Sequence, residues 1–161
     1  MKKLLSLTLA LALALGLTAC GGGGSGGTPP LYSSGDVTKI SESGAFDREL
    51  YDLEELDADT AFMVYGLEGY GLAREDMKEC TVLSSAGATC EEAAVLVLAD
   101  ADKAETAEDA LKNYIQSQIS ANEDYRPDEI PKLKDAYIDR RGESLLLVVA
   151  SDVEAAKEAV E

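Results

Sequence analysis

A run of glycines near the N-terminus limits how much of this chain can form a packed domain. Residues 21–27 are glycine except for Ser25, and Thr28-Pro29-Pro30 follows them. Glycine has no side chain to bury, so such a segment is typical of a flexible linker. We extend the predicted linker to residues 20–45, because no convincing apolar period occurs there. The remaining residues, 46–161, have about the length of one ordinary domain.

The segment before the glycines has the features of a leader. Lys2 and Lys3 precede an uncharged and mostly apolar run of 14 residues, Leu4–Leu17. A helix that spans a membrane needs about 20 apolar residues, so this run is too short to cross one. A basic start, a short apolar middle and a small-residue end are typical of a secretory signal peptide. Residues 1–19 are therefore predicted to be a signal peptide.

The end of the leader resembles the lipobox of bacterial lipoproteins, in the four residues Leu17-Thr18-Ala19-Cys20. This resemblance implies that Cys20 receives a diacylglyceryl group on its sulfur and becomes the mature N-terminus. Two or more acyl chains anchor a protein stably, whereas one binds only reversibly. We therefore expect a protein held at the extracytoplasmic face of the cell membrane by lipid on Cys20. The alternative is an ordinary signal peptide that ends near a cysteine.

Charge and composition exclude several classes of function. The formal net charge is −17, and it becomes −19 when residues 1–19 are removed, because they contain two lysines and no acid. Such a surface repels nucleic acid, so no nucleic-acid partner is expected. The chain has no histidine, which excludes the usual serine and cysteine triads and histidine-bearing zinc sites. The sequence identifies no catalytic residue, no cofactor and no metal ligand.

Two cysteines, Cys80 and Cys90, remain after Cys20. In an exported domain, two cysteines can form a disulfide. A hairpin that turns around Gly87 would place Cys80 opposite Ala94, which holds the two sulfurs too far apart to bond. A turn centred on Ser85 would align them. We expect two free thiols, with an intramolecular disulfide as the alternative.

The apolar pattern predicts an α+β fold. Its clearest element is a helix with one apolar stripe at Ala107, Ala110, Leu111, Tyr114, Ile115 and Ile119. Other helices are predicted at 46–56, at about 57–65 and at 153–160, and strands at 80–84, 93–99, 136–141 and 145–150. Strands in hairpin pairs between helices favour a small two-layer sandwich, in which helices cover one face of a four-stranded antiparallel sheet. The two most apolar strands, 93–99 and 145–150, should be central, and the other two nearer the edges.

Residues 46–160 as a whole resemble the family called domain of unknown function 4358, which occurs in lipoproteins of Gram-positive bacteria. The residues that carry this resemblance are Tyr65-Gly66-Leu67, Glu91-Glu92-Ala93-Ala94-Val95, Gln118, Tyr125-Arg126-Pro127-Asp128-Glu129 and the closing hairpin around Gly142. The resemblance implies a lipid-anchored extracytoplasmic domain of about this length. It implies no catalytic residue.

Three functions fit these observations. The first is a non-enzymatic binding module for an unknown protein or ligand of the cell envelope. The second is a one-domain receptor for a small molecule or a cation, with Gln118 and Tyr125 as the candidate contact residues. Tyr114 belongs to the same group, although its place on the apolar stripe favours core packing. Gln118 is unusual because it also lies on that stripe, and a buried amide needs hydrogen-bond partners.

The third function is a carboxylate-based glycan hydrolase, which requires two acidic side chains in one cleft. The candidates are Glu91, Glu92, Asp128 and Glu129. Helix capping explains most of these residues without any catalysis. The binding module is therefore the function that we expect.

Overall fold

An antiparallel sheet of five strands, in the order β1-β2-β3-β5-β4, forms the centre of the molecule. The computed structural model describes residues 29–47, 53–87 and 89–161. The strands are β1 (Leu53–Leu56), β2 (Met77–Ser85), β3 (Glu92–Leu98), β4 (Tyr137–Arg141) and β5 (Ser144–Val149). The helices are α1 (Ser34–Glu42), α2 (Ala58–Val64), α3 (Ala101–Asn122), α4 (Ile130–Lys134) and α5 (Val153–Glu158). The predicted α+β class and antiparallel sheet are confirmed, and the sheet has one strand more than expected.

The extra strand is β1, which occupies part of the predicted helix 46–56. Leu53 and Leu56 have the spacing of a helix face, but Leu53–Leu56 pairs with Ser85–Val82 of β2. Pairing with a neighbouring strand outweighs such a short local pattern. The helix prediction is therefore wrong for residues 46–47 and 53–56, and its residues 48–52 lie outside the described ranges. β1 pairs with the outer side of β2, so β1 forms this edge of the sheet and β2 is the second strand.

The two central strands are β3 and β5, as predicted, and β4 forms one edge. All six residues of β5 are buried. A strand with apolar residues on both sides needs cover on both faces of the sheet. This requirement explains the largest difference from the sequence-based expectation, which placed helices on one face only.

The first face of the sheet packs against α3. Buried residues of its predicted stripe, among them Ala107, Leu111 and Ile115, contact the β3 and β5 side chains on that face. Asp100 caps the helix by accepting a 2.8 Å hydrogen bond from the backbone N–H of Lys103. The stripe is therefore a core surface, as its spacing predicted.

The second face packs against α1 and α5. Val37 and Ile40 of α1 and Ala156 of α5 lie in one buried cluster with side chains from the other side of β3 and β5. The predicted linker 20–45 is therefore too long, because Tyr32 and α1 belong to the folded domain. Within the described ranges, no helix has both the length and the apolar character that are required to cross a bilayer.

The chain enters the fold at the turn between β4 and β5, which we call the hairpin end of the sheet. The backbone N–H of Tyr32 donates a 2.8 Å hydrogen bond to Ser144 Oγ, and its hydroxyl donates to Asp139 Oδ2 at 2.5 Å. The Arg141 guanidinium lies 4.1 Å from the centre of the Tyr32 ring. From this end α1 crosses the sheet, and at the far end the Asp152 N–H donates to the Ala45 carbonyl.

The strand register keeps the two cysteines apart. Cys80 lies opposite Leu96, and Ser84 lies opposite Glu92. Cys80 and Cys90 are both free thiols. The prediction of free cysteines is confirmed, with a register two residues away from the one expected.

Candidate functional site

A cavity of about 180 Å³ with mostly polar walls lies at the other end of the sheet. We call it the polar pocket and this end the pocket end. The first residue of β3, the last residues of β2 and the C-terminal half of α3 form its walls. The side chains used below are those of Ser84, Cys90, Glu92, Tyr114, Gln118 and Arg126. A larger surface groove, of about 440 Å³ beside α5, is lined by neither Gln118 nor Tyr125.

Glu92 is a buried carboxyl group in the wall of the polar pocket, with only 4% of its surface exposed. Its Oε1 accepts a 2.5 Å hydrogen bond from the Tyr65 hydroxyl, and its Oε2 accepts one of 2.9 Å from the Tyr114 hydroxyl. Ser84 Oγ contacts Oε2 at 3.5 Å. No lysine or arginine of the described chain lies within ion-pair distance of Glu92, although buried charges are usually paired. Burial raises the pKa of Glu92, and the hydrogen bonds offset this effect only in part.

Two tyrosines hold this carboxyl group in place. Tyr65 follows α2 and Tyr114 lies on the α3 stripe, and their rings meet edge to face with centroids 5.1 Å apart. The ring of Tyr114 packs against the core, while its hydroxyl reaches Glu92. Burial and the nearby Glu92 carboxyl raise the pKa of both tyrosines. Both hydroxyls therefore stay protonated and donate hydrogen bonds to Glu92. Tyr114 therefore packs in the core, as expected, and also forms part of the pocket wall.

Arg126 supplies a positive group to the same pocket. Its Nε donates to Asn122 Oδ1 at 2.7 Å, and its Nη1 donates to the Gly87 carbonyl at 2.6 Å and the Thr89 carbonyl at 3.4 Å. These bonds connect the end of α3 to the loop between β2 and β3. In the described part of the chain, no carboxylate forms an ion pair with Arg126. In the sequence, Arg126 is noted only as part of the family resemblance. Its position next to Pro127 gives no signal that it lines a pocket.

Of the two contact residues chosen from the sequence, Gln118 lines the polar pocket and Tyr125 does not. Gln118 is half-buried and lines the polar pocket. Its Oε1 accepts a long hydrogen bond, 3.4 Å, from Asn122 Nδ2, and its amide nitrogen donates to no acceptor within the described ranges. Tyr125 is 81% exposed and lies outside the pocket. Its ring centre is 6.0 Å from the Arg126 guanidinium carbon.

The other candidate carboxylates have structural partners. Glu91 is buried and accepts hydrogen bonds from the N–H of Asp47 at 3.2 Å and from Ser151 Oγ at 2.6 Å. Lys132 Nζ lies 3.5 Å from Glu91 and 3.2 Å from Glu129. These contacts join loops at the pocket end, on the side away from Glu92. Asp128 is exposed. The four acids are therefore not gathered in one cleft, and Glu92 alone lines the pocket.

The thiol of Cys90 lies in the pocket wall. Burial raises its pKa, while the charges of Arg126 and Lys132 lower it and those of Glu129 and Glu92 raise it. Burial also raises the pKa of the Cys80 thiol, to about 11. A raised pKa keeps a thiol protonated and unreactive. In the residues that the structure describes, no group of three or more Cys, Asp or Glu side chains is arranged to hold a metal ion.

Fold and site together define a small α+β domain with a polar pocket at one end of an antiparallel sheet. Residues 49–150 match the family model "Domain of unknown function (DUF4358)". This match covers more than half of the chain, so the protein belongs to the DUF4358 family. No curated protein and no solved structure matches the chain. The matched range contains the polar pocket and the α3 face of the core, and both α1 and α5 lie outside it.

Proposed function

We propose that this protein is a lipid-anchored lipoprotein of the extracytoplasmic membrane face, and that its domain is a non-enzymatic binding module. The observation that carries the proposal is the separation of the chain entry from the polar pocket. Tyr32 docks beside Ser144, and the pocket is lined by Val149 at the other end of β5. Five residues of strand correspond to about 17 Å. The tether therefore joins the domain at the end opposite the polar pocket, which leaves the pocket free to meet a partner.

The distance between anchor and domain is limited by covalent geometry. Cys20 and Tyr32 are 12 residues apart, and a fully extended chain of this length spans at most about 43 Å. The tether is shorter than the sequence suggested, because α1 is folded against the sheet. This limit on the position of Tyr32 restricts the module to partners close to the membrane surface.

A binding role is supported over a hydrolytic one by the arrangement of the acids. Hydrolysis of a glycan by two carboxylates requires that both face one cleft. Glu92 lines the polar pocket, whereas Glu91 and Glu129 are bonded to loop groups and to Lys132. The pocket thus offers groups that hold a ligand, without a second acid for proton transfer.

The lipid anchor is tested by metabolic labelling of cells with an alkynyl fatty acid. The unmodified chain is expected to carry the label and to fractionate with membranes, and a Cys20→Ala chain should lose both properties. An unlabelled protein that is recovered in the soluble exported fraction would contradict the anchor.

The binding role is tested by a photoreactive phenylalanine derivative placed in the anchored protein. At position 125, beside the polar pocket, it is expected to crosslink to an envelope component. At position 70, which is exposed near the start of α3 at the hairpin end, it should not give this product. The absence of a product specific to position 125 would contradict a partner at the pocket end.

A second candidate function is a receptor for a small molecule. It is favoured by the presence of Gln118, chosen from the sequence as a contact residue, in the wall of a polar cavity. In this case the ligand would occupy the polar pocket, and the crosslinked partner would be a component that recognises the receptor.

A further inference from the structure

We propose that the polar pocket binds a small zwitterion, a molecule that carries one carboxylate and one ammonium group, of which a free α-amino acid is the simplest. This inference rests on the second candidate function above and names its ligand class.

Two groups of opposite charge, the Glu92 carboxyl and the Arg126 guanidinium, line the polar pocket without pairing. The Glu92 carboxyl receives hydrogen bonds from hydroxyl groups only. The Arg126 guanidinium donates to an amide and to carbonyl oxygens only. The two do not form an ion pair with each other, although both line the polar pocket. A ligand with one charge of each sign would satisfy both groups at once.

The chemistry of these two groups fits the two charged ends of a zwitterion. The Arg126 Nη2 donates no bond within the described residues, and as part of a charged guanidinium it is a strong donor for a carboxylate oxygen. The Gln118 side-chain amide, whose nitrogen donates no bond within the described residues, adds a neutral donor beside it. An ammonium group has three donors and no acceptor, and the Glu92 oxygens are acceptors for it. Tyr65 and Tyr114 fix the orientation of that carboxyl group.

The size of the pocket and the total charge of the protein favour a small ligand without net charge. Pockets for drug-sized ligands have volumes of about 300–1,000 Å³, and the polar pocket is smaller, at about 180 Å³. A ligand of a few heavy atoms therefore fits best. The formal net charge of −17 repels a simple anion. A zwitterion has no net charge, so it can approach the Arg126 guanidinium without this penalty.

Binding of an ammonium group should be linked to the proton of Glu92. Burial raises the pKa of Glu92 in the empty pocket, and an ammonium beside it stabilises the ionised form. The groups that face this carboxyl are the hydroxyls of Tyr65, Tyr114 and Ser84 and the more distant charge of Arg126, with the Cys80 and Cys90 thiols near them. The tyrosines and thiols keep their protons near neutral pH. Affinity should therefore rise with pH as Glu92 loses its proton.

The experiment is a titration of the mature chain carrying Cys20→Ala, followed by NMR. The probes are glycine, L-alanine and L-serine. Acetate and methylammonium serve as controls, because each carries only one of the two charges. We expect the zwitterions to shift the Gln118 side-chain amide and the Arg126 Nε–H resonances, with each single-charge control at least tenfold weaker. The same zwitterion should bind more tightly at neutral pH than near pH 5.

Single substitutions test whether the ligand binds at the polar pocket and not elsewhere on the surface. Glu92→Gln and Gln118→Ala should each weaken binding tenfold or more. Arg140→Gln is the matched control, since Arg140 pairs with Glu108 at the hairpin end, and it should bind as the unmodified chain does. The pH series uses the unmodified chain, so the inference stays testable if the Glu92→Gln chain does not fold.

Three outcomes would overturn the inference. One is the absence of pocket shifts with all three zwitterions. Another is equal affinity for acetate and L-alanine, which would define an anion site, and the third is equal affinity for methylammonium. If no zwitterion binds but position 125 still crosslinks to a partner, the ligand class is wrong and the binding module stands.

Discussion

The backbone N–H of Tyr32 donates a 2.8 Å hydrogen bond to Ser144 Oγ, a residue 112 positions later in the chain. Ser144 is fully buried, and its hydroxyl donates a 2.8 Å hydrogen bond to the Arg141 carbonyl. A single hydroxyl thus connects the start of the domain to the turn between β4 and β5.

Ser144→Ala should destabilise the domain, because it leaves the N–H of Tyr32 and the carbonyl of Arg141 without their partner. A buried polar group without a hydrogen bond costs about 1–3 kcal/mol. The free energy of unfolding, measured by urea denaturation, should fall by that amount. Ser117→Ala is the control, since Ser117 is exposed and bonds only to the carbonyl of its own helix. Equal effects of the two variants would contradict the role of Ser144.

Ile40→Ala tests whether α1 is part of the cooperative core. Ile40 is fully buried against the second face of the sheet, and truncation of such a side chain costs about 2–5 kcal/mol. Thr38→Ala, on the exposed side of the same helix, should change stability by less than about 0.5 kcal/mol. Urea denaturation monitored by circular dichroism compares the two. An unchanged midpoint for Ile40→Ala would mean that α1 is not coupled to the sheet.

Glu92 should make stability fall as pH rises. Its pKa is raised by burial in the folded protein, whereas in the unfolded chain it is about 4.3. Between these two values the folded state binds more protons, so the free energy of unfolding decreases with increasing pH. The contribution is fully present below the unfolded pKa and is lost as pH rises through the folded pKa.

The measurement compares the unmodified chain with Glu92→Gln over this pH range. The difference between the two isolates Glu92, since carboxyl groups with lowered pKa, such as Asp36 and Glu108, are common to both. The stability of Glu92→Gln relative to the unmodified chain should increase with pH. A difference that does not vary with pH would show that Glu92 titrates normally.

Cys80 and Cys90 should stay reduced in the exported protein. The register places Cys80 opposite Leu96, and Cys90 precedes β3, so the two sulfurs are too far apart to bond. Unfolding in iodoacetamide without reductant should add two alkyl groups to the Cys20→Ala chain, as judged by mass. A protein that takes up none would contain the disulfide. In the folded state alkylation should be slow near neutral pH, because burial raises the pKa of both thiols.

The elements that sequence analysis predicted well are those with a long or continuous apolar pattern. The α3 stripe extends over more than three turns, and β3 and β5 are apolar after their first residues, Glu92 and Ser144. Such patterns leave few alternatives. In β1 only Leu53 and Leu56 are apolar, and its pairing with β2 is a tertiary contact that no local pattern contains.

Helix α1 was missed because it has two apolar residues, Val37 and Ile40, among serine, glycine and charged residues. One local signal was present. Ser33 and Asp36 have the spacing of a capping box, and the Asp36 carboxylate accepts a 2.8 Å hydrogen bond from the Ser33 N–H. Gln118 was found because it interrupts an apolar stripe. The sequence could not predict that Arg126 lines the pocket without an acidic partner, because ion pairing depends on the folded arrangement.

The two faces of the sheet are built from different stretches of the chain. Every buried residue of the α3 face lies within the matched family range, whereas the other face is closed by residues before 47 and after 150. A relative could replace both flanking helices with another apolar cover and keep every residue of the matched range. A protein trimmed to residues 49–150 would instead expose Val95, Leu146 and Val148 to water and would be prone to self-association.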